Sequence, residues 1–153
     1  MRIDGLWSKL LDMTTEPDVQ LDVTQIVAFW VTEADEALEV ADHLVAKADY
    51  SYALFFGHLA VEKMLKAQYV LRKEQHAPPL HNLLRLARAA GLSVDEETVE
   101  KLTTVTAFNL EARYPDFKRS FRQTCTPEYT AHQMSVIKEL MQWLRSQLPS
   151  SAA

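Results

Sequence analysis

Apolar residues recur at three- and four-residue steps along most of the chain, and this spacing predicts amphipathic α-helices. The first long stretch of this kind predicts a helix from about Thr24 to Lys47. The next stretch, roughly 51–74, is apolar on almost every side, which is typical of a helix buried among its neighbours. Pro78 and Pro79 prevent this helix from continuing.

The second half of the chain predicts further helices with recognisable ends. A short helix runs from about residue 82 to residue 90, and Gly91 stops it. Residues 93–96 read Ser-Val-Asp-Glu, which fits a capping box that begins another helix with Ser93 as its N-cap. That helix must end before Pro115.

The last helix is predicted to begin with Thr126 as N-cap and Pro127 at its first helical position. The whole pattern predicts an all-α fold, an up-and-down bundle of four to five helices. We expect residues 1–25 to form a short N-terminal docking segment and a linker, residues 26–148 to form the helical domain, and residues 149–153 to fray.

Composition narrows the class of protein. The chain of 153 residues has the length of one domain and can bury a core without disulfides. Its single cysteine, Cys125, suits a reducing compartment, so a cytoplasmic location is predicted. The three glycines lie too far apart to build a glycine-rich phosphate loop. No apolar run approaches about 18 residues, so no membrane span is expected.

Charge is spread unevenly along the chain. The net charge is −5, yet residues 1–49 carry 3 basic and 11 acidic groups, whereas residues 117–153 carry 5 basic and 2 acidic ones. A uniformly basic coat for nucleic acid is therefore absent, but a local cationic site is compatible with this pattern.

The helix at 51–74 contains charged side chains, which are costly in a buried helix unless they are paired. Glu62 and Lys66 stand four residues apart with the glutamate first, the favourable order for an ion pair within a helix, and Lys63 lies between them. Two interpretations stay open: an ordinary surface pair, or a partly buried pair with a functional role. His58, on the apolar face, is interpreted as a hydrogen-bonded core histidine.

Asn109 and Arg113 form the strongest candidate pair, one turn apart at the end of the helix that precedes Pro115. Either Arg113 stabilises the helix dipole, or the two side chains face an anion together. The following segment, 114–125, is expected to be irregular, and it mixes aromatic and basic residues. Such a mixture can hold phosphates and stack on bases, or its phenylalanines can dock on the core. The residues concerned are Phe117, Lys118, Arg119, Phe121 and Arg122.

Other chemistries find little support in the sequence. His81 and Asn82 stand at the entrance of the short helix, where an N-cap role is favoured and a site role for His81 is the alternative. The histidines show no metal-ligand spacing and Cys125 has no CxxC partner, so neither a metal nor a cofactor is predicted.

Three blocks of the sequence together resemble the HEPN family of small α-helical domains over roughly residues 26–145. They are the segment FFGHLAVEKMLKAQYVL (55–71), the proline-plus-HNLLRL segment (78–86), and the element formed by Asn109 and residues 113–115, Arg-Tyr-Pro. The resemblance implies a helical bundle, a homodimer, and a frequent pairing with a minimal nucleotidyltransferase in toxin–antitoxin or stress systems. It also makes Glu62, Lys63 and Lys66 a signature of the second helix.

Some members of that family are metal-independent ribonucleases that carry an arginine followed four to six residues later by a histidine. Arg113 matches the arginine, but the corresponding later positions are Phe117, Lys118 and Arg119, and the next histidine is His132. Without that histidine the chain has no evident general base to activate the ribose 2′-hydroxyl. A general base contributes a factor of about 10²–10⁴ to the rate.

The resemblance therefore favours a non-catalytic binding module that holds a nucleotide or an RNA phosphate and pairs with a nucleotidyltransferase-like partner. The expected phosphate-binding residues are Asn109, Arg113, Lys118, Arg119 and Lys66. The alternative is a metal-independent ribonuclease in which Arg113 works with a substitute base, His81 or His132. Large apolar residues in excess of what a thin bundle hides, among them Trp7, Trp30, Phe55 and Phe56, add to the expectation of a homodimer.

Overall fold

A computed structural model describes residues 20–150, and all regular secondary structure in that range is helical. It contains six helices: α1 (Val23–Ala46), α2 (Tyr50–Lys73), α3 (Leu83–Ala89), α4 (Glu96–Glu111), α5 (Pro115–Thr124) and α6 (Pro127–Ser146). The predicted all-α bundle is therefore confirmed. No helix within residues 20–150 combines the length and the apolar character that crossing a membrane requires.

Helix α2 lies at the centre of the bundle. It packs along α1 as an antiparallel hairpin and also contacts α6, α4 and α3. Its apolar side chains supply much of the core, and the helix is buried on most sides because its sequence has no continuous polar face. The fully buried α2 residues include Ala53, Leu54, Ala60, Val61, Met64, Leu65, Ala67 and Val70.

Local sequence signals explain where most helices begin and end. Asp22 caps α1 by accepting a hydrogen bond from Gln25 N, and Asn82 caps α3 in the same way through Arg85 N. Thr126 caps α6, as predicted, by accepting from Tyr129 N. Gly91, at φ +81°, follows α3 in the left-handed region, where a residue without Cβ is least strained.

Two predictions, one about the start of α4 and one about the segment that follows it, are wrong. The N-cap of α4 is Asp95, whose side chain accepts from Thr98 N, and not Ser93 of the supposed capping box. Residues 115–124 are not irregular but form helix α5, because Pro115 at the first helical position pre-sets the backbone and the residues after it include no glycine or second proline. Asp116 in the first turn of α5 also favours the helix dipole.

The expected N-terminal docking segment lies outside the described residues, as do the last three residues of the chain. The domain boundaries at 25/26 and 148/149 stay predictions.

Candidate phosphate-binding site

The C-terminal end of α4 carries the pair that the sequence singled out. Arg113 donates a hydrogen bond to Asn109 Oδ1 at 3.4 Å, so the two side chains do lie together. The backbone N–H of Arg113 still bonds to Leu110 O, which extends the helical turn beyond the last residue of α4. Arg113 is exposed and Asn109 is half-buried, so this pair faces solvent from the helix end.

Helix α5 presents a second group of cations next to that end. Lys118, Arg119 and Arg122 line a groove of about 300 Å³ together with Pro115. The side chains of Lys118 and Arg122, one turn apart, both lie over the ring of Tyr52 near the start of α2, at 5.3 and 5.7 Å from its centroid. Cation–π attraction therefore holds two of the three cations in place on a rigid aromatic surface.

Tyr52 responds to these cations. Hydrogen bonding with Lys118 is the main cause that lowers the pKa of Tyr52 from its ordinary 10.0, and the charge of Arg122 acts in the same direction. The electrostatic environment of the groove therefore favours negative charge, which is the property that an anion site requires.

Apolar residues around these cations divide into two groups. Phe121 is 3% exposed and stacks on Phe108 of α4 with ring centroids 5.6 Å apart, so it fixes α5 to the core. Leu110, Tyr114 and Phe117 are 47%, 54% and 47% exposed. The sequence left open whether the phenylalanines of this segment stack on bases or dock on the core. In the structure Phe121 docks on the core, and Phe117 is exposed at the surface.

The charged residues of α2 form a separate network in the middle of the bundle. The Glu62 carboxylate binds Lys66 Nζ at 3.3 Å through Oε2 and the Nδ1 of His81 at 2.8 Å through Oε1. The Glu62 side chain is 5% exposed and that of Lys66 is 12% exposed, so this is a largely buried ion pair and not an ordinary surface pair. Lys66 also lies over the ring of Trp30 at 5.2 Å, and Lys63 pairs with Glu33 of α1.

The two regions are distant from each other along α2. Lys66 follows Tyr52 by fourteen positions, which corresponds to about 21 Å of helix at 1.5 Å per residue. The structure therefore does not bring Lys66 to the cations of α5, although the sequence grouped them as one phosphate-binding set.

The histidines have different surroundings. His58 is a buried core histidine whose Nε2 bonds to His81 O at 2.9 Å, as interpreted from the sequence. Burial is the main cause that lowers the pKa of His58 from its ordinary 6.5. Asn82, and not His81, caps α3, which leaves the imidazole of His81 to Glu62. His132 lines a groove between α4 and α6 that also contains Glu97, Glu100 and Glu139.

The described residues contain no set of side chains suited to binding a metal ion. Among residues 20–150, no group of three or more His, Cys, Asp or Glu side chains is arranged to hold a metal ion.

Sequence reasoning missed two contributors to the basic groove. Tyr52 was not a candidate because its partners lie more than sixty residues further along the chain, and no local pattern links them. Arg122 was noted among the cations but was left out of the phosphate-binding set. If residues 115–124 had been predicted as a helix, its periodicity would have placed Arg122 on the same face as Lys118, because residues four apart lie on one side of a helix.

Comparison with known proteins agrees with this architecture. The HEPN domain profile matches residues 27–147, and the chain belongs to the HEPN family. The fold is also similar to the crystal structure of TT1696 from Thermus thermophilus, with a TM-score of 0.69 and 22% sequence identity. That similarity covers 80% of this chain and 98% of TT1696, and at this identity it shows the fold alone. A search of curated proteins found no match.

Proposed function

We propose that this protein is a HEPN-type binding module that holds a nucleotide or RNA phosphate at the end formed by α4 and α5. The observation that carries the proposal is the basic groove of Lys118, Arg119 and Arg122, beside the Asn109–Arg113 pair. Planar guanidinium groups bind phosphate oxygens through two donors at once, and the asparagine amide adds a neutral donor.

The cations at this end have no salt-bridge partner among the described residues. None of the ion pairs between residues 20 and 150 involves Arg113, Lys118, Arg119 or Arg122. By contrast, Lys138 pairs with Asp42, and Arg145 pairs with Asp35. Four cations in a short segment, none with a salt-bridge partner in the part of the chain that the structure describes, support binding of an external anion.

The exposed aromatic residues extend the proposal from a bare phosphate to a nucleotide. Tyr114 precedes α5 and is 54% exposed, and Phe117 in the first turn of α5 is 47% exposed, so both offer ring faces on which a base can stack. Stacking of this kind contributes about 1–3 kcal/mol per base.

A protein partner is the second part of the proposal. Members of the HEPN family are frequently paired with a minimal nucleotidyltransferase, and we propose such a partner here, in a toxin–antitoxin or stress system, with a homodimer as the working assembly. Phe29 and Val40 on the outer side of α1 are 53% and 38% exposed, which supports a protein interface on that helix. Light scattering at micromolar concentration should give twice the monomer mass, and a monomer mass would contradict the dimer.

Fluorescence anisotropy with a labelled single-stranded RNA tests phosphate binding. Arg119→Ala and Arg122→Ala should each weaken binding, and each should reduce the slope of log Kd against log salt by about 0.7, because one phosphate contact is lost. Arg88→Ala is the matched control, since it removes an exposed arginine from α3 at a distance in sequence from the groove. Equal weakening by Arg88→Ala would show that binding follows only overall charge, and absence of binding would overturn the proposal.

A further inference from the structure

A pocket of about 270 Å³ lies at the N-terminal end of α2, and we call it the α2 pocket. Its walls come from the turn before α2, from the first turn of that helix (residues 50–52), and from Arg122 and Cys125 at the end of α5. Ser51 is 7% exposed and Cys125 is 6% exposed, so these two residues form its inner wall. Asp49 and Arg122 are exposed and lie on its outer side.

The first turn of α2 brings backbone donors to this pocket. The first hydrogen bond of the helix runs from Ala53 N to Asp49 O at 2.9 Å, so the N–H groups of residues 50–52 have no acceptor within the helix. The side chain of Asp49, the N-cap residue, does not accept from them either. Such N–H groups point out of the helix end, where the helix dipole also favours negative charge.

The side chain of Ser51 also lacks a partner. No side-chain hydrogen bond between residues 20 and 150 involves its hydroxyl, although the residue is 7% exposed. A buried hydroxyl without a partner is unfavourable, and buried polar groups are normally satisfied. Because Ser51 lines the α2 pocket together with the free N–H groups, an acceptor bound there would satisfy both.

The charges around the α2 pocket favour an anion. Arg122 lines the pocket, and Lys118, one turn before it on α5, lies with it over the ring of Tyr52. Asp49 is the one carboxylate among the lining residues, so Arg122 offsets it and the helix dipole leaves the balance positive. Burial is the main cause that raises the pKa of Cys125 to about 11, so its thiol is neutral at pH 7 and does not repel an anion.

We infer that the α2 pocket binds a phosphate monoester, the terminal group of an RNA or of a mononucleotide. The inference rests on the proposed phosphate binding and names the end group that this part of the molecule selects. A monoester has three free oxygens and a charge of about −1.5 to −2 at pH 7, which three N–H groups, a hydroxyl and a guanidinium can match. A phosphodiester has two free oxygens and continues on both sides, which the inner wall of Ser51 and Cys125 prevents.

Arg122 connects the α2 pocket with the basic groove. It lines both of them, whereas Arg119 lines the groove alone. A terminal phosphate in the pocket and the next phosphate of the same strand in the groove would therefore both lie near Arg122. The strand would enter the pocket by its end and continue outward along α5.

Fluorescence anisotropy with internally labelled single-stranded RNAs tests the inference. One RNA has hydroxyl groups at both ends, and two others carry a monophosphate at the 5′ or at the 3′ end. A fourth has hydroxyl ends and one additional nucleotide, which supplies extra charge without a monoester. At least one monophosphate RNA should bind at least about tenfold more tightly than the first, because a charged acceptor gains several hydrogen bonds. Equal affinity of all four RNAs would overturn the inference.

Ser51→Ala isolates the contribution of the α2 pocket. It should lower the preference for the monophosphate by about tenfold and leave the affinity for the hydroxyl RNA unchanged. Ser120→Ala is the matched control, because Ser120 is an exposed serine on α5 outside the pocket, and its variant should keep the full preference. Arg119→Ala should weaken all four RNAs by the same factor. A preference that survives intact in Ser51→Ala would contradict the assignment.

Competition distinguishes the two sources of the monoester. Displacement of the monophosphate RNA by adenosine monophosphate, but not by adenosine, would show that a free nucleotide is sufficient. Displacement by neither, together with the end-group preference, would assign the pocket to RNA ends. Equal displacement by both would overturn the inference, because the phosphate would then contribute nothing.

Failure of the inference is distinguishable from failure of the proposed function. Absence of binding by all four RNAs overturns the proposed function and the α2 pocket with it. Binding that is independent of the end group overturns the α2 pocket alone and leaves the basic groove as the binding site.

Discussion

The middle of α2 and the basic end formed by α4 and α5 both carry charged side chains, but the two regions hold them differently. Glu62 in α2 is almost completely buried and binds both Lys66 and His81. Arg113 is exposed, and its side chain bonds only to a neutral amide among the described residues. The comparison shows that a charge within a buried helix is tied into the packing, whereas a charge at a helix end stays available to a ligand.

Energetics should follow the same division. Removing one partner of a buried ion pair leaves the other charge desolvated without compensation, whereas an exposed arginine has water as a substitute partner. Mutations in α2 should therefore lower stability, and mutations at the basic end should change binding with little effect on stability.

The largest expected effect is at Glu62. Glu62→Gln should destabilise the fold by about 2–4 kcal/mol, since Lys66 would keep its charge in a site that is 12% exposed. Arg113→Ala should change stability by less than about 0.5 kcal/mol. Urea unfolding of both variants measures the contrast. Equal losses of stability in the two variants would remove the distinction between the regions.

Packing at Gly57 is the next test, because this glycine lies where α2 meets α6. A Cβ at Gly57 would collide with the Cδ1 atom of Ile137, which is fully buried. Overpacking costs about 1–3 kcal/mol, and the better helix propensity of alanine returns about 1 kcal/mol. Gly57→Ala should therefore be destabilising by up to about 2 kcal/mol, as measured by denaturant unfolding.

Ile137→Val supplies the control for this packing argument. It removes the Cδ1 methyl group and costs about 0.5–1.5 kcal/mol alone. In the double variant the new Cβ has room, so the combined loss should be smaller than the sum of the two single losses. Strict additivity would contradict the close approach of the two helices.

The pH dependence of stability distinguishes the buried histidine from the exposed ones. Burial lowers the pKa of His58 from its ordinary 6.5 in the folded state. Below about pH 6.5 the unfolded chain therefore takes up a proton that the folded chain does not, and stability falls as the pH drops. The loss contributed by His58 is at most about 1.4 kcal/mol per pH unit. The charged and titratable groups that face His58 are Glu62, Lys66 and His81, and they are the same in both proteins of the comparison below.

Unfolding of His58→Gln at pH 7.5 and pH 5.5 isolates this contribution. The variant should lose less stability than the wild type between the two values. His43→Gln is the matched control, because His43 is exposed and its replacement should leave the wild-type slope intact. An unchanged slope in His58→Gln would contradict a buried neutral histidine.

Periodicity predicted the helices well because each helix is a local pattern. The bounds of α1, α2 and α3 differ from expectation by one residue at each end. The site was only partly predictable. Asn109 and Arg113 are four residues apart on one helix, so their proximity follows from the sequence. The contacts of Tyr52 with α5, and of Glu62 with His81, depend on how helices pack, and no spacing rule contains that information.

The start of α4 shows that a sequence motif can predict where a helix begins without predicting which residue caps it. Residues 93–96 fit a capping box, yet Asp95 is the residue that caps, because its carboxylate reaches Thr98 N at 2.7 Å. That hydrogen bond lowers the pKa of Asp95 from its ordinary 3.8, so the cap carries a full charge at neutral pH. A charged acceptor at the helix start also interacts favourably with the helix dipole.

Thermal unfolding of Asp95→Ala and Ser93→Ala is the last test. Asp95→Ala should lower Tm by about 2–4 °C, the usual effect of losing an N-cap in a domain of this length. Ser93→Ala should leave Tm unchanged within about 1 °C, because Ser93 is exposed and precedes the cap by two residues. A larger loss of Tm in Ser93→Ala than in Asp95→Ala would instead support the predicted capping box with Ser93 as N-cap. Since α4 carries Arg113 at its far end, a lower Tm in Asp95→Ala with unchanged RNA affinity would also show that the basic end tolerates loosening of the helix start.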